Sequence, residues 1–183
     1  MTRLLALLAA LVLLTGARDP ILVPEVSQHE VQLRQGFEAK GLSISVEMPD
    51  DLPPIFADRE QLKRAISQIL DNARRYTEQG GITVRASVQG DDIRIDVRDT
   101  GPGIAPEVLP RLFKRFQRVE GNNSTQRGGG LGLAITRQLI ERQGGSVSVT
   151  STPGEGSTFT VILQQANEHT LAVAQADNSS TAS

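Results

Sequence analysis

The chain of 183 residues contains no cysteine. Disulfides, thiolate metal centres and cysteine nucleophiles are excluded together, and a reducing compartment suits such a composition. Histidine is scarce as well: His29 and His169 alone do not furnish a histidine-rich metal site. The formal net charge is −2, so the basic excess that marks a nucleic-acid binder is missing. No apolar run reaches the roughly 20 residues that a membrane-spanning helix requires. What is present is ordinary globular material, 38% hydrophobic and 22% charged with 17 glycines. That suffices for one domain with its own core and extra segments at its ends.

The stretch from Leu4 to Leu14 is entirely leucine, alanine and valine. Three readings fit it. Arg3, the apolar stretch and the small residues Thr15, Gly16 and Ala17 have the order of a signal peptide. Leu4, Leu7, Leu11 and Leu14 fall at the spacing of a packed seam, as at the end of a bundle helix. The remnant of a membrane anchor is the third.

Beyond it, Glu25 to Lys40 reads as a polar helix closed by Gly41, and Leu42 to Met48 alternates as a strand. Asp58 opens a helix with Gln61 as its capping-box partner, and Leu62, Ile66, Ile69, Ala73 and Tyr76 form its expected buried stripe. Ile82 to Val88 and Ile93 to Val97 alternate on either side of Gly90-Asp91, a hairpin. Asp99 to Gly130 is long and irregular, which favours a functional loop over a connection. A helix is expected over Leu131 to Gln143, then a second hairpin (Val147, Val149, then Phe159, Val161, Leu163) turning at Pro153-Gly154. The order predicts an α/β (α+β) two-layer sandwich: a mixed, mainly antiparallel sheet of about five strands, with helices on one face. Residues 165–183 are polar and of low complexity, the composition of a disordered tail.

Four segments carry chemistry. Gln68, Asn72 and Arg75 lie on one ridge of the first long helix. A carboxamide oxygen there suits Mg²⁺, which keeps several waters and bridges phosphate oxygens, and Arg75 can fork onto a phosphate. Asp99-Thr100-Gly101-Pro102-Gly103-Ile104 follows the end of a strand. A carboxylate at that point can accept from the amine of adenine, and the two glycines let backbone approach a base closely. Gly128-Gly129-Gly130-Leu131-Gly132-Leu133 runs straight into a helix start, where unpaired N–H groups favour phosphate. It is neither a P-loop, lacking Gly-Lys-Ser/Thr, nor a dinucleotide fingerprint, since it follows a loop. Gly154-Glu155-Gly156-Ser157-Thr158-Phe159 is a glycine turn feeding the last strand. Taken singly, each is also a solvated helix face or a plain turn.

In this order and on these elements, the four resemble the N, G1, G2 and G3 boxes of the histidine kinase ATP-binding domain. That domain is part of the gyrase, Hsp90, histidine kinase and MutL fold group. Leu112-Phe113-Lys114-Arg115-Phe116 is similar to the same family's F box, and the resemblance runs from about Pro24 to Leu163. It implies a domain over residues 20–164 that uses ATP and Mg²⁺ as a histidine protein kinase. Asn72 would hold Mg²⁺; Gln68, Asn72 and Arg75 would serve the transfer; Arg75 would stand where the family usually has a phosphate-contacting lysine. Tyr76 would lie along the nucleotide, Asp99 would read adenine between Gly101, Gly103 and Ile104, and Thr158 would sit near the base. Gly128, Gly130, Leu131, Gly132 and Leu133 would close over the phosphates. Residues 105–127 would form the lid, with Arg115 and Arg118 as further phosphate contacts.

Relatives in this fold group that hydrolyse ATP place a glutamate one turn before the Mg²⁺ asparagine. Here that residue is Gln68, and an amide cannot take a proton from water. Histidine kinases usually have asparagine there, so this chain keeps the amide and lengthens it. The resemblance also implies partners: a dimerisation domain bearing the acceptor histidine, a downstream response regulator and a second copy in the full-length protein; the charge balance already argues for no nucleic acid. His29-Glu30 begins as acceptor motifs do, but Val31-Gln32-Leu33-Arg34 does not continue the pattern, and His169 lies in the tail. The acceptor is therefore expected outside the recognisable part of this chain. A protein that uses ATP belongs in the cytoplasm, free or as part of a membrane-attached sensor, which favours residues 1–19 as the end of a dimerisation helix and a truncated kinase. The alternative is a nucleotide-binding module without transfer, or an ATPase of the same fold group.

Overall fold

The computed structural model describes residues 35–49, 51–114 and 132–166. The apolar stretch 1–19, His29, His169, the tail beyond residue 166 and residues 115–131 lie outside them. The elements run β1 (Ser43–Glu47), α1 (Arg59–Tyr76), β2 (Gly81–Gln89), β3 (Asp92–Asp99), a 3₁₀ turn (Leu109–Arg111), α2 (Gly132–Glu141), β4 (Ser146–Thr152) and β5 (Gly156–Gln164). Among the described residues no helix is long and apolar enough to cross a membrane.

Asp58 caps α1 as expected, its side chain accepting from the Gln61 N–H at 2.9 Å. The reciprocal half of the box comes from elsewhere. The Asp58 N–H donates to Gln143 Oε1 at 2.7 Å, and Gln143 Nε2 donates to the Leu139 carbonyl at 2.7 Å. One glutamine thus ties the start of α1 to the end of α2. Leu62, Ala65, Ile66, Ile69, Leu70 and Ala73 are buried along α1, and each large aliphatic side chain among them contributes about 1.5–3 kcal/mol by leaving water. The expected stripe ends one residue too late: Tyr76 is 47% exposed. The helix stops there, and Thr77 turns inward in its place.

Lys40, at the end of the helical residues 35–39, closes α1 from outside. Its Nζ donates to the carbonyls of Arg74 at 2.9 Å, Arg75 at 3.2 Å and Thr77 at 3.1 Å. A cation among the last free carbonyls of a helix satisfies them and opposes the dipole. Lys40→Met should lower stability by about 1 kcal/mol, read as a melting point a few degrees lower. An unchanged melting point would show that α1 needs no such cap.

The five strands form one sheet in the order β1-β2-β3-β5-β4. β1 pairs parallel with β2 across the α1 crossover, and every other pair is antiparallel. The first hairpin turns at Gly90-Asp91, with Gln89 opposite Asp92. Because side chains alternate, the register builds rows across one face. Val84, Val97, Phe159 and Val149 make one row, and Ala86, Ile95, Val161 and Val147 the next. These rows and α1 form the core, the two layers expected. At the edge of the same face the row is Ile82, Asp99, Ser157 and Ser151. Hydrophobic alternation stops there, and that row carries the site. Gln165 pairs with Ile55, and Ala166 N–H donates to the Pro54 carbonyl at 2.8 Å, so the chain stays attached two residues into the segment read as tail.

The opposite face is polar. Asp96 accepts from Arg94 Nε at 2.8 Å and from Thr160 Oγ1 at 2.6 Å. Burial pushes its carboxyl up, but the bonds from Arg94 and Thr160 and the charges of Arg94 and Arg85 together outweigh burial and hold it below the usual range. A carboxyl lowered on folding stabilises the protein above its unfolded value and loses that contribution as pH falls through its folded value. Asp96→Asn should therefore cost about 1 kcal/mol at neutral pH. The difference should close below pH ~3.9, measured by urea unfolding at both pH values. An equal deficit at pH 3 and pH 7 would contradict the assignment.

Candidate functional site

Asp99 ends β3, and only 6% of it is exposed. Its Oδ1 accepts from the Gly101 N–H at 2.9 Å and from the Ser157 N–H at 3.3 Å. Burial pushes its carboxyl up, against the pull of these two N–H groups. Among the described residues no hydrogen bond reaches Oδ2. A buried carboxylate with one oxygen fixed and the other unmet is suited to receive a donor from a ligand.

Glycines press backbone around that carboxylate. Gly103 has φ +71°, and a Cβ there would strike the Thr152 carbonyl. Gly156 has φ +111°, and its Cβ would strike the Asp99 carbonyl. The Ile104 N–H donates to Ser151 Oγ at 2.8 Å, and the Gly154 N–H to the Pro102 carbonyl at 2.8 Å. The 99–104 segment is thereby clamped to the β4–β5 turn, which brings Asp99, Gly101, Gly103 and Ile104 together. Thr158 is not part of this group. It stands opposite Arg98 in the β3–β5 register, on the other face of the sheet from Asp99. Ser157 stands beside Asp99 instead, a residue that sequence reasoning missed because pairing between β3 and β5 has no local signal.

On α1, Gln68, Asn72 and Arg75 are each half-buried, and the more exposed Tyr76 follows them. The Asn72 side chain makes no hydrogen bond among the described residues. The Arg75 guanidinium lies 3.3 Å from Asp71, which also holds Arg74 at 2.7 Å. Gln68 reaches the start of α2: a Cβ on Gly132 would fall 2.5 Å from Gln68 Oε1. Thr136 Oγ1 also donates to the Ala65 carbonyl at 3.5 Å, so the two helices lie close along this line. Gly132 thus meets the Gln68 end of the ridge, and Leu133 packs against the core. Gly128, Gly130, Leu131, Arg115 and Arg118 lie outside the described residues. Of the F-box stretch, Phe113 packs edge-on against Phe159, with ring centres 6.4 Å apart.

Among the described residues no group of three or more His, Cys, Asp or Glu could cage a metal. The ridge carries two hard, neutral amide oxygens, of Gln68 and Asn72; Gln68 Oε1 is turned to Gly132, which leaves that of Asn72 for a metal. A single neutral oxygen suits Mg²⁺ that brings water and phosphate oxygens of its own, and little else.

A sequence profile of the family described as histidine kinase-, DNA gyrase B-, and HSP90-like ATPase matches residues 57–167. The chain is 43% identical over 146 residues to the non-motile and phage-resistance protein of Caulobacter vibrioides, covering 76% of this chain and 17% of that protein. It is 33% identical over 144 residues to the signal transduction histidine-protein kinase BaeS of Escherichia coli, covering 78% and 31% respectively. Full-length ShkA in complex with AMPPNP superposes with a TM-score of 0.62 at 31% identity, over 88% of this chain and 37% of that one. The mycobacterial sensor histidine kinase MprB gives 0.63 at 26% identity, over 80% and 98%. The chain spans less than a third of the length of the two curated relatives.

Proposed function

The chain belongs to the histidine kinase-, DNA gyrase B-, and HSP90-like ATPase family, and on that premise we propose that it is the ATP-binding, phosphoryl-donating part of a sensor histidine kinase. One observation carries the reading: the buried Asp99 carboxylate has Oδ1 tied to backbone and Oδ2 without a donor among the described residues. The amine of adenine donates where the corresponding oxygen of guanine accepts, so Asp99 would hold ATP and refuse GTP. Gly101, Gly103 and Ile104 would line the base, with Ser157 holding Asp99 from the sheet side.

Along α1 the nucleotide would pass from base to phosphates. Tyr76 offers an exposed ring beside it, and Arg75 would exchange part of its contact with Asp71 for a phosphate oxygen. Asn72 would hold one Mg²⁺, which when bound supplies positive charge against the phosphate oxygens. Gly128, Gly130, Leu131, Gly132 and Leu133 would bring backbone N–H groups to the same phosphates. The attacking group is an imidazole nitrogen of an acceptor histidine on a separate dimerisation domain. Its bond to the γ-phosphorus forms as the bond to the bridging oxygen breaks, and ADP leaves. From the acceptor the phosphoryl group would pass to a response regulator. Positioning and charge neutralisation supply most of the catalysis in such transfers.

The test is transfer of labelled γ-phosphate to a separately supplied dimerisation domain carrying an acceptor histidine. Wild type should label that histidine, and Asn72→Ala should reduce labelling about a hundredfold. ATP binding with no labelling of any acceptor would indicate a binding module instead. Water is a competing nucleophile, and Gln68 cannot serve it as a base. Gln68→Glu should therefore raise acceptor-free ATP hydrolysis by roughly tenfold or more, followed as released phosphate. Rapid hydrolysis by the wild type, unchanged in the variant, would contradict the kinase reading.

A further inference from the structure

Thr77 ends α1, with its backbone N–H donating to the Ala73 carbonyl at 2.9 Å. Its side chain turns inward and is fully buried. The hydroxyl has no hydrogen-bond partner, and it is the only buried side-chain polar atom in that condition among the described residues. Buried hydroxyls are rarely left so, because an unmet one carries its whole desolvation cost.

Its surroundings show what the group faces. A Cβ on Gly101 would lie 2.9 Å from Asp99 Oδ1, 3.3 Å from Thr77 Oγ1 and 3.3 Å from the Tyr76 carbonyl oxygen. Three polar atoms therefore converge beside Gly101, where any side chain would crowd Asp99 Oδ1. No direct hydrogen bond joins the Thr77 hydroxyl to either of the other two. A buried water takes two to four polar partners, and a hydroxyl donor and two acceptors converge beside Gly101.

We propose that Thr77 is a positioning residue for the base-reading carboxylate, its hydroxyl held to Asp99 Oδ1 and the Tyr76 carbonyl through one trapped water against Gly101. The Thr77 O–H donates to the water oxygen. The water donates one hydrogen to Asp99 Oδ1 and the other to the Tyr76 carbonyl. Together with the N–H groups of Gly101 and Ser157 this fixes Oδ1, so that Oδ2 alone is presented to the base. The inference rests on reading Asp99 as the acceptor for adenine. It adds that the end of the phosphate-side helix and the base pocket are joined through Thr77.

Thr77→Val keeps the shape and removes the hydroxyl, and Thr77→Ser keeps the hydroxyl. Each is titrated calorimetrically with ATP and with GTP in the presence of Mg²⁺, and melted without nucleotide. Thr77→Val should bind ATP five- to tenfold more weakly with a narrower preference over GTP. Thr77→Ser should stay within twofold of the wild type, and the melting points should agree within about 2 °C. If Thr77→Val binds ATP as the wild type does and melts higher, the hydroxyl is a bare structural cost and the proposal is overturned. It is also overturned if both variants lose affinity in step with their melting points. A wild type with no preference for ATP over GTP overturns the reading of Asp99, and this inference with it; failure confined to Thr77→Val overturns this inference alone.

Discussion

Replacing Asp99 with asparagine is expected to leave the domain folded while lowering its affinity for ATP between ten- and a hundredfold. Asparagine keeps an oxygen for the N–H groups of Gly101 and Ser157, so the local backbone has its acceptor. At the other position it presents an N–H₂ donor, which faces the donating amine of adenine. A charge-assisted bond worth about 1.5–3 kcal/mol is lost, and tenfold corresponds to about 1.4 kcal/mol. Stability should move the other way. Burial raises the Asp99 carboxyl in the folded protein, so what this group contributes is full below its unfolded value and is lost as pH rises through the folded one. At pH 7.5 the ionised carboxylate costs the fold something that asparagine does not. The variant should therefore melt at or above the wild type. ATP binding by the wild type should in turn weaken as pH falls through the raised Asp99 value, earlier than for an ordinary carboxylate. Equal ATP affinity in the two proteins would mean that Asp99 does not read the base.

The second large effect is on the clamp. Gly103→Ala and Gly154→Ala both place a side chain at positive φ, +71° and +85°. They differ in what the new Cβ meets. At Gly154 nothing lies within 4 Å, whereas at Gly103 the Thr152 backbone carbonyl is in the way. Backbone strain alone costs about 1–2 kcal/mol. An immovable carbonyl raises the cost at Gly103 to about 3 kcal/mol or more, or a melting point lowered by ~10 °C. The loss should carry ATP binding with it, because Gly103 joins the 99–104 segment to the β4–β5 turn. Matching losses in the two variants, by urea unfolding, would show that the 99–104 segment is not held against β4.

The elements most legible in the sequence were those with local causes. Alternation from Ile82 to Val97 around Gly90-Asp91 gave the first hairpin with its turn, and Asp58 gave the start of α1. What was not legible depended on residues far apart in the chain. Gln143, not Gln61, completes the α1 cap. Tyr76 fits the helical period of the buried stripe, yet the stripe ends at Ala73 and the next inward residue is Thr77. Thr158 and Ser157 are adjacent in sequence. Only the pairing of β5 with β3 assigns Ser157 to the face of Asp99 and turns Thr158 away from it. The ordered motifs drew attention to Asp99, Gly101 and Gly103, and the fold places these three together. A register, by contrast, is a property of two strands, and neither strand alone records it.

Whether this chain holds ATP through a base-reading carboxylate is decided by calorimetric titration of the chain with ATP and then GTP in Mg²⁺. One ATP should bind saturably per chain, with GTP at least about tenfold weaker. Equal affinity for the two nucleotides, or no binding of either, would contradict that reading.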